Sequence, residues 1–360
     1  MCTWCARCGW MVSMSRHTTS TTRPTTRHVG RVILAILSAL ALILGTTPAA
    51  HADNRGWLRQ GCWWSPRGLG MQVCPVYSAA MGRPIEVSIK PARNGGNGAL
   101  YMLGGIGSTP NENQWANTPA PIIFDDANVT LVMPHGGEGE FYADWEHPGH
   151  PLFNNSGEFF PANQIAKWDT FLTAELPTYL EANFGVSRHR NSVIGISMGA
   201  VGAINLAGHH PDQFKQVLAF SGFLDPAALT HLSMATGFAL ATNVGGGQVT
   251  EMWGSSPSSF VDNMYRNDPV ASAEGLRNTD VIVFSGSGLP PAGHRLPGGF
   301  GAIVATTGEV AINASTALFV TKVRSRGIRV EHQTGPGIHA WPTWEMKLAE
   351  NKGRILSVVG

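Results

Sequence analysis

The chain has 360 residues, of which 43% are apolar and 14% charged, with a formal net charge of +1. Such a chain is long and apolar enough for one large core, or a core with an appended lid. A balance so near zero gives no ground for a nucleic-acid or acidic partner.

The first segment stands apart from that core. Arg16, Arg23, Arg27 and Arg31 precede an apolar run over 32–44, and Ala50-His51-Ala52 follows it. A basic region, a short apolar region and an Ala-x-Ala site form the pattern of a secretory signal peptide. The run of 13 residues is shorter than the ~20 that a transmembrane helix needs. Cleavage after Ala52 is therefore expected rather than a membrane anchor, with Met11 or Met14 as alternative starts. Residues 53–360, 308 in number, then form a single exported domain. Cys2, Cys5 and Cys8 leave with the signal. Cys62 and Cys74 remain, and in an oxidising compartment a lone pair is expected to form a disulfide. Two cysteines without a nearby histidine cannot complete a tetrahedral zinc shell, so no metal site is expected, and no cofactor.

Further along, strands and helices alternate. Strands are expected at 85–90, 99–103, 129–133, 192–196, 216–221, 281–285 and 328–332. Helices are expected at 171–184, where Pro177 would introduce a kink, at 200–209, at 312–325 and at the C-terminus. Strands separated by helices imply a mostly parallel sheet covered on both faces. Two stretches break the rhythm: 227–263, rich in Gly, Ser, Met and Phe, and 286–308, dense in Gly and Pro. Loops of this length in a compact domain serve as lids or binding walls.

The most informative segment is Val193-Ile194-Gly195-Ile196-Ser197-Met198-Gly199-Ala200. An apolar strand ending in Gly-x-Ser-x-Gly, followed by small helix-forming residues, is the nucleophile elbow of an α/β-hydrolase fold. The turn lifts the Ser197 hydroxyl out of the sheet and aims a helix N-terminus at it, where developing negative charge is favoured. Of 13 histidines, His339 follows the last expected strand on a glycine-rich loop, the place where this fold carries its base. His209 and His210 end the elbow helix and suit its dipole, and His135 lies in a loop that borders the cleft. For the acid, Glu309, Asp225 and Asp268 are the alternatives that position leaves open. The oxyanion hole would take one N–H from Met198 and a second from the loop Gly104-Gly105-Ile106-Gly107, at Ile106.

Further motifs are more specific than the elbow. They include Ser78-Ala79-Ala80-Met81-Gly82-Arg83, Val132-Met133-Pro134-His135-Gly136-Gly137 with Phe141-Tyr142-Ala143-Asp144-Trp145, and Lys167-Trp168-Asp169-Thr170-Phe171-Leu172. Ser221-Gly222-Phe223-Leu224-Asp225-Pro226, Met252-Trp253-Gly254, Arg266-Asn267-Asp268-Pro269 and His339-Ala340-Trp341 complete the set. From about Cys74 to the C-terminus the chain resembles the antigen 85 and corynebacterial mycoloyltransferase family, secreted acyltransferases of the mycolate cell envelope. The resemblance implies a glutamate acid some thirty positions before the histidine, and Glu309 lies 30 before His339. It also implies Ile106 as the second oxyanion donor and Trp341 as a residue lining the sugar site. One departure stands out. Antigen 85 carries Asp-Gly-Leu-Arg in the oxyanion loop, its charged residues holding trehalose, whereas this chain has Gly104-Gly105-Ile106-Gly107.

The implied function is transfer of a mycolyl or other long-chain acyl group from a trehalose ester to a sugar or other hydroxyl of the envelope, by a monomer. A secreted carboxylesterase with water as acceptor is the alternative from the same residues. A non-enzymatic envelope or adhesin protein is a second alternative, and the presence of both Ser197 and His339 weighs against it.

Overall fold

In the computed structural model the described residues are 55–149, 164–225 and 249–360. The expected signal segment 1–52 and much of the stretch 227–263 lie outside them. The described residues build a nine-stranded sheet: β1 (Trp63–Trp64), β2 (Gln72–Ser78), β3 (Arg83–Lys90), β4 (Ala99–Leu103), β5 (Thr130–Pro134), β6 (Asn191–Ile196), β7 (Phe214–Phe220), β8 (Asp280–Gly286) and β9 (Glu331–Gly335). Its spatial order is β1-β2-β3-β5-β4-β6-β7-β8-β9. The pairs from β1 to β5 are antiparallel, and those joining β5, β4, β6, β7, β8 and β9 are parallel. The parallel centre β4, β5 and β6 is buried along its whole length, as expected for strands covered on both faces. One face packs Val193, Val217 and Val283 with helix residues such as Phe171 and Ile204; the other packs Ile194, Leu218 and Ile282 with Trp344, Leu348 and Ile355. This is the mostly parallel α/β-hydrolase sheet expected from the sequence.

The helices used below are α1 (Leu176–Phe184), α2 (Met198–His209), α3 (Val249–Trp253), α4 (Pro257–Arg266), α5 (Phe300–Ser325) and α6 (Trp341–Val359). Three elements differ from the sequence reading. The helix expected over 171–184 begins at Trp168 and contains a π turn at Phe171–Glu175, with Pro177 tolerated in the first turn of α1 rather than kinking it. The last strand lies at Glu331–Gly335, three residues later than expected. Ile328 and Val330 are buried ahead of it, whereas the strand itself is polar and at the sheet edge, where apolar alternation is not required. Finally, α5 begins at Phe300, so the Gly/Pro-dense loop ends there and Glu309 sits well inside a helix instead of opening it. Gly299, Gly301 and Gly308 mask those first turns in the sequence, but a tertiary contact holds them: the Ala305 carbonyl accepts the His339 N–H at 2.8 Å. In the other loop-rich stretch, the described part is helical, forming α3 and the start of α4.

Cys62 and Cys74 are joined in a disulfide that ties the short edge strand β1 to β2.

Candidate active site

The elbow is a place of close approach. Ser197 has φ 53° and ψ −120°, a region that non-glycine residues rarely occupy and that persists only when the surroundings over-determine it. Its N–H donates to the Phe220 carbonyl at 2.9 Å, anchoring the turn to β7. A Cβ at Gly195 would fall 1.9 Å from the Gly199 carbonyl oxygen, and one at Gly199 would fall 2.3 Å from the Gly104 carbonyl oxygen. Strand β6, helix α2 and the end of β4 can therefore meet only with glycine at both positions. This packing is the physical content of the Gly-x-Ser-x-Gly pattern here.

Three side chains from distant parts of the chain converge on that turn. His339 Nε2 lies 2.9 Å from Ser197 Oγ, and His339 Nδ1 lies 3.0 Å from Glu309 Oε2. Glu309 is fully buried and its other oxygen is occupied: Oε1 accepts the Ser221 hydroxyl at 2.8 Å and the Gly286 N–H at 2.6 Å. Ser221 itself has φ 51° and accepts the Trp344 indole N–H at 2.9 Å. Trp344 in turn packs edge-on against the His339 ring, with centroids 5.1 Å apart. The acid is thus held by the ends of β7 and β8, and the imidazole is wedged by α6. A serine hydroxyl, an imidazole and a buried carboxylate in this order can pass the hydroxyl proton to the imidazole while the carboxylate stabilises the resulting cation.

The rival acids have other partners. Asp225 is buried and ion-paired to Lys322 at 2.6 Å, its N–H donating to Ser315 Oγ. Asp268 caps a short helix through the Val270 N–H at 2.9 Å. His135 is buried, its Nε2 2.8 Å from Ser88 Oγ, so it belongs to the sheet rather than bordering the cleft. Burial pushes its imidazole down to about 4, prevailing over the Glu112 carboxylate, which favours the charged ring. His209 and His210 both contact Asp169, at 3.3 and 2.6 Å. Against the burial that disfavours its charge, hydrogen bonds from these two imidazoles hold the Asp169 carboxyl well below the usual range. They join α2 to the segment before the π turn.

The loop Gly104–Gly107 borders Ser197, a Cβ built at Gly105 lying 3.5 Å from Ser197 Cβ. Two of its amides are already engaged: Gly104 N–H donates to Tyr142 Oη and Gly105 N–H to Gln114 Oε1, each at 2.9 Å. Burial raises the Tyr142 phenol to about 12, so it remains a neutral partner for that amide. The Ile106 and Met198 amides have no partner among the described residues, which leaves both available to a ligand. Trp341 is half-buried, edge-to-face with Trp115 at 5.1 Å and with Trp344 at 5.3 Å. Sequence reasoning missed Ser221, Trp344, Tyr142 and Gln114. Among the described residues, no three His, Cys, Asp or Glu side chains converge to hold a metal ion.

Fold and geometry together define an α/β-hydrolase of the serine esterase type. Residues 78–355 match the family described as "Putative esterase". The chain is 33% identical over 343 residues to the diacylglycerol acyltransferase/mycolyltransferase Ag85A of Mycobacterium tuberculosis, covering 92% of this chain and 91% of that protein. It is 31% identical over 333 residues to Ag85C of Mycobacterium leprae, covering 90% of each. Among solved structures, M. tuberculosis MPT51 (FbpC1) superposes with a TM-score of 0.65 at 26% identity, covering 81% of this chain and 99% of that one. The Staphylococcus aureus serine hydrolase FphF shares the fold at 15% identity and a TM-score of 0.57, over 79% of this chain and 97% of its own. The chain belongs to the antigen 85 mycolyltransferase family, within the wider esterase family.

Proposed function

We propose that this protein is an exported acyltransferase that moves a long-chain acyl group, of the mycolyl kind, from a trehalose-type glycolipid ester to a hydroxyl of an envelope sugar or another hydroxyl acceptor. The observation that carries the reading is the chain of hydrogen bonds from Ser197 through His339 to buried Glu309. Ser197 Oγ attacks the ester carbonyl carbon while His339 Nε2 takes its proton. The Ile106 and Met198 amides hold the oxyanion that forms. When the tetrahedral species collapses, the C–O bond to the donor sugar breaks and the imidazolium returns the proton to the leaving oxygen. An acyl-enzyme on Ser197 and a free alcohol result. The acceptor hydroxyl then gives its proton to His339 as its oxygen attacks the acyl carbon. When this second tetrahedral species collapses, the bond to Ser197 Oγ breaks and the imidazolium returns the proton to that oxygen, leaving a new ester and free Ser197.

Export is supported by the composition of residues 1–52 and agrees with the Cys62–Cys74 disulfide, which suits an oxidising compartment. The mature protein would begin near Asp53 and act as a monomeric single domain at the cell envelope. The names of the 31–33% identical relatives support transfer over hydrolysis. Incubation with trehalose monomycolate labelled in its acyl chain, together with a panel of sugar acceptors, tests the reading. Label appearing mainly in new esters supports a transferase; label appearing only as free acid identifies a carboxylesterase.

A further inference from the structure

A serine acyltransferase must recognise its acceptor beside the acyl-enzyme, and in this chain the oxyanion loop offers no charged side chain for that purpose. Gly104 and Gly107 have none, and the space beside Gly104 is already filled. A Cβ at Gly104 would fall 2.1 Å from Ser108 Oγ and 2.9 Å from Gln114 Oε1; one at Gly107 would lie 3.4 Å from Gln114 Nε2. The Gln114 carboxamide therefore lies along the loop. Its orientation follows from its partner: Oε1 accepts the Gly105 N–H at 2.9 Å. Nε2 must then face away from that donor, and among the described residues it donates to no protein group.

Its neighbours in the chain fix this side chain in place. Asn113 Nδ2 donates to the Met102 and Pro134 carbonyls at 3.2 and 2.6 Å, clamping the segment across the ends of β4 and β5. Trp115 is buried, its indole N–H donating to the Leu103 carbonyl at 2.9 Å and its ring packing on Trp341. Gln114 is only partly buried and Gly107 is exposed, so the carboxamide N–H groups stand at the accessible rim of the loop.

We propose that Gln114 is an acceptor-specificity residue, its carboxamide oxygen bracing the oxyanion loop and its Nε2–H₂ donating to a hydroxyl oxygen of a neutral polyol acceptor. The ligand class follows from the chemistry. Loop residues 104–108 and Gln114 carry no ionisable group, and a neutral donor fixed at a rim pairs with a neutral hydroxyl without burying an unpaired charge. This role rests on the transferase reading above.

The test compares the partition of one acyl-enzyme between acceptor and water, a ratio independent of acylation rate and of the fraction of protein folded. The acyl-enzyme is generated from p-nitrophenyl hexanoate, with trehalose, glucose and methyl arabinofuranoside as acceptors. Gln114→Met, of similar length, also loses the brace to the Gly105 N–H, but that brace serves transfer and hydrolysis alike. The variant is expected to lower the transfer-to-hydrolysis ratio about five- to tenfold for the preferred acceptor, the loss of the one hydrogen bond to the acceptor. Ser108→Ala removes a hydroxyl that donates to the Gly105 carbonyl at 2.8 Å, yet leaves Nε2 in place. It should slow acylation while keeping the ratio within about twofold. Equal ratios in wild type and Gln114→Met, with transfer present in both, overturn the role of Gln114 alone. Hydrolysis without acceptor-dependent transfer in the wild type refutes the transferase reading and the role of Gln114 with it.

Discussion

Replacing Glu309 by glutamine tests the site's electrostatics with the smallest change in shape. Glu309 Oε1 accepts two hydrogen bonds, from Ser221 Oγ at 2.8 Å and Gly286 N–H at 2.6 Å. In the variant those two donors select the amide oxygen for that place and turn the amide nitrogen toward His339 Nδ1. Nδ1 must then act as an acceptor, which puts the ring proton on Nε2, pointing at Ser197 Oγ. The imidazole is left in the tautomer that cannot accept the serine proton, and the carboxylate that would stabilise its cation is gone. Losses from such a tautomer reversal reach about 10⁴ in turnover, so a fall of 10³- to 10⁴-fold is expected in the acylation rate on p-nitrophenyl hexanoate. Asp225→Asn serves as the contrast, because Asp225 pairs with Lys322 instead and should change the rate by less than about tenfold. Both proteins are compared at equal folded concentration by circular dichroism. A Glu309→Gln enzyme within tenfold of wild type, or a more damaging Asp225→Asn, would refute the assignment of the acid.

Three further outcomes are expected. Gly104→Asp, which would restore a carboxylate beside the loop, should instead lower Tm by several degrees and give no gain in trehalose use. Its Cβ would fall 2.1 Å from Ser108 Oγ, and overpacking costs about 1–3 kcal/mol; an unchanged Tm would contradict this account of the loop. His135 has a folded pKa of about 4, below its unfolded value, so the unfolded chain takes up the proton first. The stability due to its neutral ring is complete above about pH 6.5 and is lost as pH falls toward 4, on the order of 3 kcal/mol in all. Urea unfolding at pH 7 and 4.5 should show a smaller difference for His135→Gln than for wild type. The exported protein should begin near Asp53 and carry no free thiol. Reducing Cys62–Cys74, a cross-link across 12 residues, should destabilise it by about 2–3 kcal/mol, read by intact mass and thermal melting with and without reductant.

The sequence reveals most of what local chemistry dictates. Gly195 and Gly199 mark the elbow because no other residue lets β6, α2 and β4 meet, and the central strands appear as apolar runs because both of their faces are buried. His339 could be placed from its position in the fold order. Glu309 needed the family spacing, since α5 hides its first turns behind Gly299, Gly301 and Gly308 and is held there by the contact between Ala305 and His339. The polar edge strand β9 was placed too early because its partner β8, rather than its own hydrophobicity, sets its register. Ser221 and Tyr142 fall within the family motifs, but nothing local gives them, Trp344 or Gln114 a role at the site. Each acts through hydrogen bonds that form only when the folded chain brings the atoms together.

The central claim is that acyl groups pass through Ser197. The most direct test is to mix the enzyme with a labelled long-chain p-nitrophenyl ester, quench in acid within the first turnover, and map the label by peptide mass. One acyl group should be found on the peptide containing Ser197, absent in Ser197→Ala and discharged when a sugar acceptor is added, with the label recovered as sugar ester. Label on another residue, or turnover retained in Ser197→Ala, would contradict the account.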